Sequence, residues 1–336
     1  MNKPVPAPPR VSAGAAPPRV QGSIRRTSSI DVSWPEGRAA AMRAVGRARD
    51  YLTTKAGGRG IVVAEDSFDA RIAGDRTILA IATDPPRPAI GRIVGERGGG
   101  KLRGVLAEVV PEERANATPL YLILDDISGA SLIAGWAWSQ WSPDWLAEMR
   151  ASRTEAEMRA FQKSRENVCY GHIPGSSVFD LDRRDMGAVT DAPDLRRADD
   201  PDGWHAFTVQ DSVGFRRARR IDVTVDERIV VDSAFQDSSA RPGGGRAALH
   251  EYRLSLTADP RTLEILSIDA EPRVLPFHEC PSATINLVRL VGSPLPAMRE
   301  TVLAELAGPA GCTHLNDALR ALAEVPALVE RLTAGV

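Results

Sequence analysis

The chain has 336 residues, 43% hydrophobic and 26% charged, enough for two domains or one duplicated domain with a substantial core. A formal net charge of −2 supplies no accumulated positive charge for a phosphate backbone, which argues against nucleic-acid and membrane-surface binding. Three cysteines, an odd number in so long a chain, fit a reducing compartment; no apolar run of membrane length and no hydrophobic leader is read, so a cytoplasmic location is expected. Only four of the 42 basic residues are lysines (Lys3, Lys55, Lys101, Lys163), so arginine clusters carry less weight here than usual.

Residues 1–22 hold six prolines without helical or strand period and are expected to be a disordered lead-in. A first lobe is expected over 23–179, with strand-like runs at Ser29–Val32, Gly60–Val63 and Thr77–Ala82. The run Leu120–Leu124 fits either a strand or a buried helix. Ser142-Pro143-Asp144 then opens a helix with Leu146, Met149, Met158 and Phe161 on one side and Cys169 just past its end. Eight aspartates between Asp180 and Asp202 mark 180–213 as a solvated acidic linker. A second lobe over 214–336 reads as strands Arg220–Val225, Arg228–Phe235, His250–Thr257 and Leu263–Ile268. Helices follow at Ser282–Val291, Pro296–Leu306, Thr313–Ala323 and Pro326–Leu332. Strands followed by helices, without βαβ alternation, predict an α+β fold of two related lobes, each an antiparallel meander followed by packed helices.

The lobes are read as related because the chain repeats itself. Arg25-Arg26…Ile30-Asp31-Val32 recurs as Arg216-Arg217…Ile221-Asp222-Val223. Weaker matches follow in order: Ile61–Val63 with Ile229–Val231, Thr83-Asp84-Pro85 with Thr257–Pro260, and Cys169…His172 with Cys312…His314. Each arginine pair would bind an anion, or serve as the edge charge of a strand.

Gly95–Lys101 fits the first seven positions of a phosphate-binding loop, but Leu102 stands where magnesium coordination requires Ser or Thr, and no strong helix is read after it. Nucleotide binding is therefore rejected. Asp125-Asp126 closes an apolar run and would hold substrate or cap a turn at Ser128-Gly129. Reactive side chains concentrate in the second half, at His250-Glu251-Tyr252, His278-Glu279-Cys280-Pro281 and Gly311-Cys312-Thr313-His314. A cysteine at a helix start meets free backbone N–H groups that lower a thiol's pKa, so Cys280, Cys312 and His314 are expected to share one pocket, catalytic or metal-holding. A four-ligand zinc set of Cys169, His172, Cys312 and His314 is a further arrangement, which would need the two lobes to bring these ends together.

Between Ile229 and Val325 the sequence resembles a bacterial family known as domain of unknown function 2889. The resemblance is carried by Asp232–Ser238, His250-Glu251-Tyr252, Pro272–Pro276, Glu279-Cys280-Pro281 and, most specifically, Gly311–Asp317. It reaches back to Arg25–Ser28 and Leu122–Asp126, and it implies no activity. A meander followed by helices that open on cysteines is also similar in architecture to the U-type iron–sulfur scaffold fold, whose third, hairpin cysteine this chain lacks.

These readings lead to a cytoplasmic enzyme acting on a small organic substrate, aromatic or carboxylate, by elimination or isomerisation. His250, Glu251, His278, Glu279 and His314 would move protons, with Cys312 as nucleophile or pocket lining. Tyr252, Arg273, Asp125 and Asp126 would hold the substrate. No cofactor is required, although a divalent zinc or iron ion on Cys280, Cys312 and His314 fits the alternative, a non-catalytic metal-binding or scaffold protein. The expected partner is the small molecule, with a homo-oligomer left open.

Overall fold

Long alternating segments pair side by side into one antiparallel sheet. The computed structural model describes residues 11–56, 60–142, 144–152, 154–179 and 190–334. Its strands are β1 (Ser23–Ser33), β2 (Met42–Thr53), β3 (Ile61–Ile72), β4 (Ile78–Asp84), the short β5 (Thr190–Asp191), β6 (Gly214–Val225), β7 (Ile229–Ala240), β8 (Arg246–Ala258) and β9 (Ile265–Val274). The nine-stranded order is β4-β3-β2-β1-β6-β7-β8-β5, with β9 also on β8. Each half is a four-strand meander, and the two meanders join through β1 and β6.

The helices are α1 (Gly100–Val109), α2 (Pro111–Ala115), α3 (Pro119–Ile133), α4 (Trp145–Ala151), α5 (Glu155–Arg165), α6 (Met298–Glu305), α7 (Thr313–Arg320) and α8 (Val325–Ala334). One face of the sheet receives helices, with α3 on β1, β2 and β3, α8 on β1 and β6, and α7 on β8. The α+β class and the antiparallel sheet are as the pattern of elements predicted.

The seam between the meanders is charged. On the helix-covered face β1 presents Ile24, Arg26, Ser28, Ile30 and Val32, and β6 presents Phe215, Arg217, Arg219, Ile221 and Val223. Apolar residues lie at both ends and join the two hydrophobic clusters, while the arginines lie between them. A buried guanidinium is tolerated only when paired and hydrogen-bonded, and each of these is. Arg26 bonds Asp50 bidentately at 2.6 and 2.7 Å, Arg219 bonds Asp126 at 2.8 and 2.9 Å, and Arg320 bonds Asp125 at 2.8 Å to both oxygens.

The repeated motif has a structural counterpart. Pairing of β1 with β6 sets Arg25 opposite Asp222 and Asp31 opposite Arg216, and both pairs close at 2.6 Å. The first arginine of each copy thus meets the aspartate of the other copy. The second arginines, Arg26 and Arg217, meet Asp50 and Asp237 on the next strand outward. These strands are central, so the reading of the arginines as edge charges is corrected: all four are buried, and Arg25, Arg26 and Arg217 are among the most buried side chains of the protein. The weaker repeats fall out of register. Ile61–Val63 begins β3, while Ile229–Val231 begins β7, whose counterpart by position in the sheet is β2.

Several local expectations are also corrected. Residues 1–10 lie outside the described residues, but 11–22 pack along the other face of the sheet. Ala16 N donates to Leu195 O at 2.9 Å, and Pro17 O accepts from Arg25 Nη2 at 2.8 Å, so backbone groups dock a segment with few apolar side chains to offer. Within the acidic stretch 180–189 is undescribed, whereas 190–210 covers the same face and buries Trp204 and His205. Leu120–Leu124 is a helix buried on every side, so Asp125, Asp126, Ser128 and Gly129 lie inside α3 and cap nothing. With the turn that follows it, Pro119–Gln140 is long and apolar enough to cross a membrane by length and composition, yet 72% of its most apolar 18-residue stretch is buried inside the protein, as in a core helix. The helix expected from Ser142 is two, and the second starts on a Thr154–Glu157 capping box. A helix, α1, does begin at Gly100 and includes Lys101, and Leu102 within it is core.

Candidate functional site

On the helix-covered face of the second meander, Arg217, Asp237 and His250 stand on three adjacent strands. The register pairs Arg217 with Asp237 and Asp237 with His250. A bulge between Asp237 and Ser238 leaves Leu249 unpaired and aims His250 at the aspartate. Arg217 Nε and Nη2 donate to the two oxygens of Asp237 at 2.9 and 3.0 Å. His250 Nδ1 lies 3.2 Å from Asp237 Oδ2 and donates its proton there, because the carboxylate only accepts. That fixes the tautomer and leaves His250 Nε2 with a free lone pair.

The helix layer brings the second imidazole. Cys312 is the N-cap of α7, which sets His314 in its first turn. The His314 ring stacks on His250 with centroids 3.4 Å apart and planes 16° from parallel. His250 is buried, while His314 keeps partial exposure. Asp317, one turn further along α7, accepts from Arg217 Nη1 at 3.0 Å and Arg103 Nη2 at 2.7 Å. Gly129 of α3 makes room for this junction, since a Cβ there would lie 2.0 Å from Arg217 Nη1 and 2.5 Å from Asp317 Oδ2.

Electrostatics separate the roles. Burial would raise Asp237, but Arg217 and His250 outweigh it and hold the carboxyl far below its usual range. Burial lowers His250 despite its bond to Asp237, and burial together with the neighbouring His250 lowers His314 further, so both rings are neutral at neutral pH. The centre is an anchored carboxylate, an oriented imidazole and a second imidazole on the more exposed side.

One ligand atom from each of Asp237, His250 and His314 lies within 4.8 Å of the others, a two-histidine, one-carboxylate set. A metal ion sits in the plane of each imidazole that binds it, and two nearly parallel planes 3.4 Å apart do not meet near either ring. Asp237 also has both oxygens committed to Arg217. The set as it stands suits proton transfer; one ring must turn before both hold an ion.

The other expected residues divide. Tyr252 lies next along β8, and its hydroxyl donates to Cys312 Sγ at 3.5 Å. Cys280 and Cys169 lie near Cys312, so all three cysteines of the chain gather under the helix starts. Their thiols are not activated. Burial raises Cys280 and Cys312 and pushes Cys169 up to about 11, so desolvation overrides the helix-terminus effect that predicted lowered values. Arg165 donates to His172 Nε2 at 2.7 Å, so His172 Nδ1 carries the proton and donates to Cys169 Sγ at 3.1 Å. Cys280, Cys312 and His314 do not gather as ligands, because the ring of His314 stands with His250 and Asp237.

His278 is exposed, and Glu279 accepts from Ser177 N and Oγ at 2.8 and 2.7 Å as a cap. Arg273 pairs with Glu271 on β9, the outer strand. Asp125 and Asp126 are spent on Arg320 and Arg219. Glu251 points to the opposite face, where it accepts from Gln236 Nε2 at 2.9 Å and Ala13 N at 2.5 Å. The sequence reading missed Asp237 and Arg217 as members of the centre. Asp237 stood inside a motif already singled out, but its role depends on the strand register.

No curated protein and no solved structure matches the chain. Residues 215–328, from β6 to α8, match the family described as protein of unknown function (DUF2889), and this stretch contains Arg217, Asp237, His250, Cys312, His314 and Asp317. The resemblance to that family therefore holds over the second meander and its helices, where the candidate site lies.

Proposed function

We propose that the chain is a cytoplasmic enzyme that moves protons on a small organic substrate, carboxylate or aromatic, in the manner of a lyase or isomerase. The observation that carries this reading is the bond from His250 Nδ1 to Asp237 Oδ2, which leaves Nε2 as a base beside His314. In the proposed step His250 Nε2 takes a proton from carbon and holds it as the imidazolium, and that same proton is returned to the product directly or through His314 on the more exposed side, so that both rings finish neutral. Asp237 is a positioning residue: it holds the tautomer and stabilises the imidazolium while His250 carries the proton. Both rings have depressed pKa values, and an anionic substrate beside them would raise these toward the working range.

The test needs no knowledge of the product. A panel of small carboxylic acids with acidic C–H bonds, incubated with the protein in D2O, should show loss of a proton signal by NMR for at least one member. That exchange should fall about 10²-fold or more in His250→Asn and Asp237→Asn. Exchange that is equal in the wild type and both variants would refute the assignment.

A second reading rests on the 4.8 Å grouping of Asp237, His250 and His314. After rotation of one ring the three would take a divalent zinc or iron ion, as in a metal-binding or scaffold protein. Zinc titration followed by calorimetry decides it: stoichiometric binding that is lost in His314→Gln favours the metal.

A further inference from the structure

On the face of the sheet away from the histidine pair, the strand ends of β6, β7 and β8 and the covering stretch 192–210 line a half-open cavity of about 320 Å³. Its lining includes Arg246, Arg216, Gln210, Ser238, Phe207 and Leu195. The charges around it do not cancel. Arg216 is matched by Asp31 at 2.6 Å, and Arg196 at the rim by Asp194 at 2.7 Å. Arg246 has no carboxylate within ion-pair distance among the described residues. Neutral oxygens hold its guanidinium instead: Nε donates to Ser238 Oγ at 3.0 Å, Nη1 to Gln210 Oε1 at 2.8 Å and Nη2 to Ser238 O at 3.0 Å.

A guanidinium has five N–H donors, so one on each terminal nitrogen is left without a partner among the described residues. Burial and the charge of Arg216 outweigh the more distant Asp31 and Asp194 and bring Arg246 down to about 9. Elsewhere in this core a buried arginine such as Arg26, Arg217 or Arg219 has one to three carboxylates within ion-pair distance. Here the side chain is locked in place, one positive charge is unmatched, and space is left beside it.

We infer that this cavity binds a small organic carboxylate, with the acid group on Arg246 and the hydrocarbon part against Leu195 and Phe207. The charge selects a monoanion, since a phosphate dianion would bring a second negative charge and more acceptors than two free N–H groups satisfy. The apolar wall selects an organic acid over an inorganic ion, and the volume suits a ligand of about ten heavy atoms. The site lies across the sheet from the proposed acid–base centre and stands independently of it.

Isothermal titration of the full chain with sodium benzoate, and separately with inorganic phosphate, tests this. Benzoate should bind saturably and phosphate should not. Arg246→Gln should weaken benzoate at least tenfold, and Leu195→Trp, which fills the apolar side without touching the guanidinium, should abolish binding even if R246Q fails to fold. No saturable benzoate binding, preferential phosphate binding, or benzoate binding that survives in L195W would overturn the proposal.

Discussion

Arg26 and Arg217 occupy equivalent places in the two meanders, yet what surrounds them differs. Each is the second arginine of its motif, each is almost wholly buried, and each meets an aspartate on the next strand, Asp50 or Asp237. The third strand diverges: opposite Asp50 stands Ala64, and opposite Asp237 stands His250. In the first meander further ion pairs complete the cluster, with Glu324 accepting from Arg26 Nη1 at 2.5 Å and Arg331 donating to Asp50, beside a bond from Arg26 Nη1 to Ala117 O at 2.8 Å. In the second, His250 shares the aspartate and His314 covers it. One arginine–aspartate pair thus closes a structural ion cluster, and the other orients a titratable ring. The difference comes from one residue on a neighbouring strand, not from the motif that repeats.

If that division is right, the two aspartates should fail in different ways. Asp50→Ala strips a carboxylate from two guanidiniums and should destabilise the fold by about 3–5 kcal/mol in urea unfolding, because buried charges are left uncompensated. Asp237→Asn keeps the shape of its side chain and should cost less stability, while the proton exchange described above collapses. Equal stability losses with exchange intact in both would erase the distinction.

Gly129 sharpens the same point at smaller amplitude. Gly129→Ala pushes on Arg217 and Asp317 and should cost about 1–3 kcal/mol by overpacking. Gly104→Ala in α1 has open space within 4 Å and should instead stabilise by about 0.4–1 kcal/mol. Thermal denaturation of the two variants reads both signs.

At neutral pH the smallest effect comes from His205, whose contribution appears as a pH dependence. His205 is clamped between Thr27 Oγ1 at 2.9 Å and Ser29 Oγ at 2.8 Å, and burial lowers it from 6.5 to about 3. The unfolded chain then binds the proton more readily, so this stability is fully present above the ordinary histidine value and is lost as pH falls from about 6.5 toward 3. Each such histidine contributes a slope of about 1.4 kcal/mol per pH unit within its window. His205→Gln should make the fall between about pH 6.5 and 5 shallower by that amount, with His250 and His314 supplying what remains. An unchanged slope would mean that His205 titrates normally.

How much of this was legible in the sequence follows physical lines. Strands β6 to β9 stood out because turn residues such as Gly243-Gly244-Gly245 punctuate them and their apolar residues alternate. β2 did not, because its alternation sets small residues (Ala44, Gly46, Ala48) against arginines (Arg43, Arg47, Arg49), and neither type favours strands. Gly46 is small for a reason of packing: Phe68 lies 2.2 Å from where its Cβ would be. The reactive residues His250, Cys312 and His314 could be named from their motifs, but not how they group. Helix starts did bring the cysteines together, while the histidine pair needed the register of β7 and β8. The arginines misled most, since composition gave no hint that their carboxylates lay across the sheet.

The measurement closest to the central claim is the state of the His250 ring, read by nitrogen-15 NMR of histidine-labelled protein. The account predicts a neutral ring at neutral pH with the proton on Nδ1, a bare Nε2, a bond to Asp237 that is weakened in Asp237→Asn, and titration below the ordinary histidine value. A ring protonated on Nε2, or one titrating at the ordinary value and indifferent to Asp237→Asn, would contradict it.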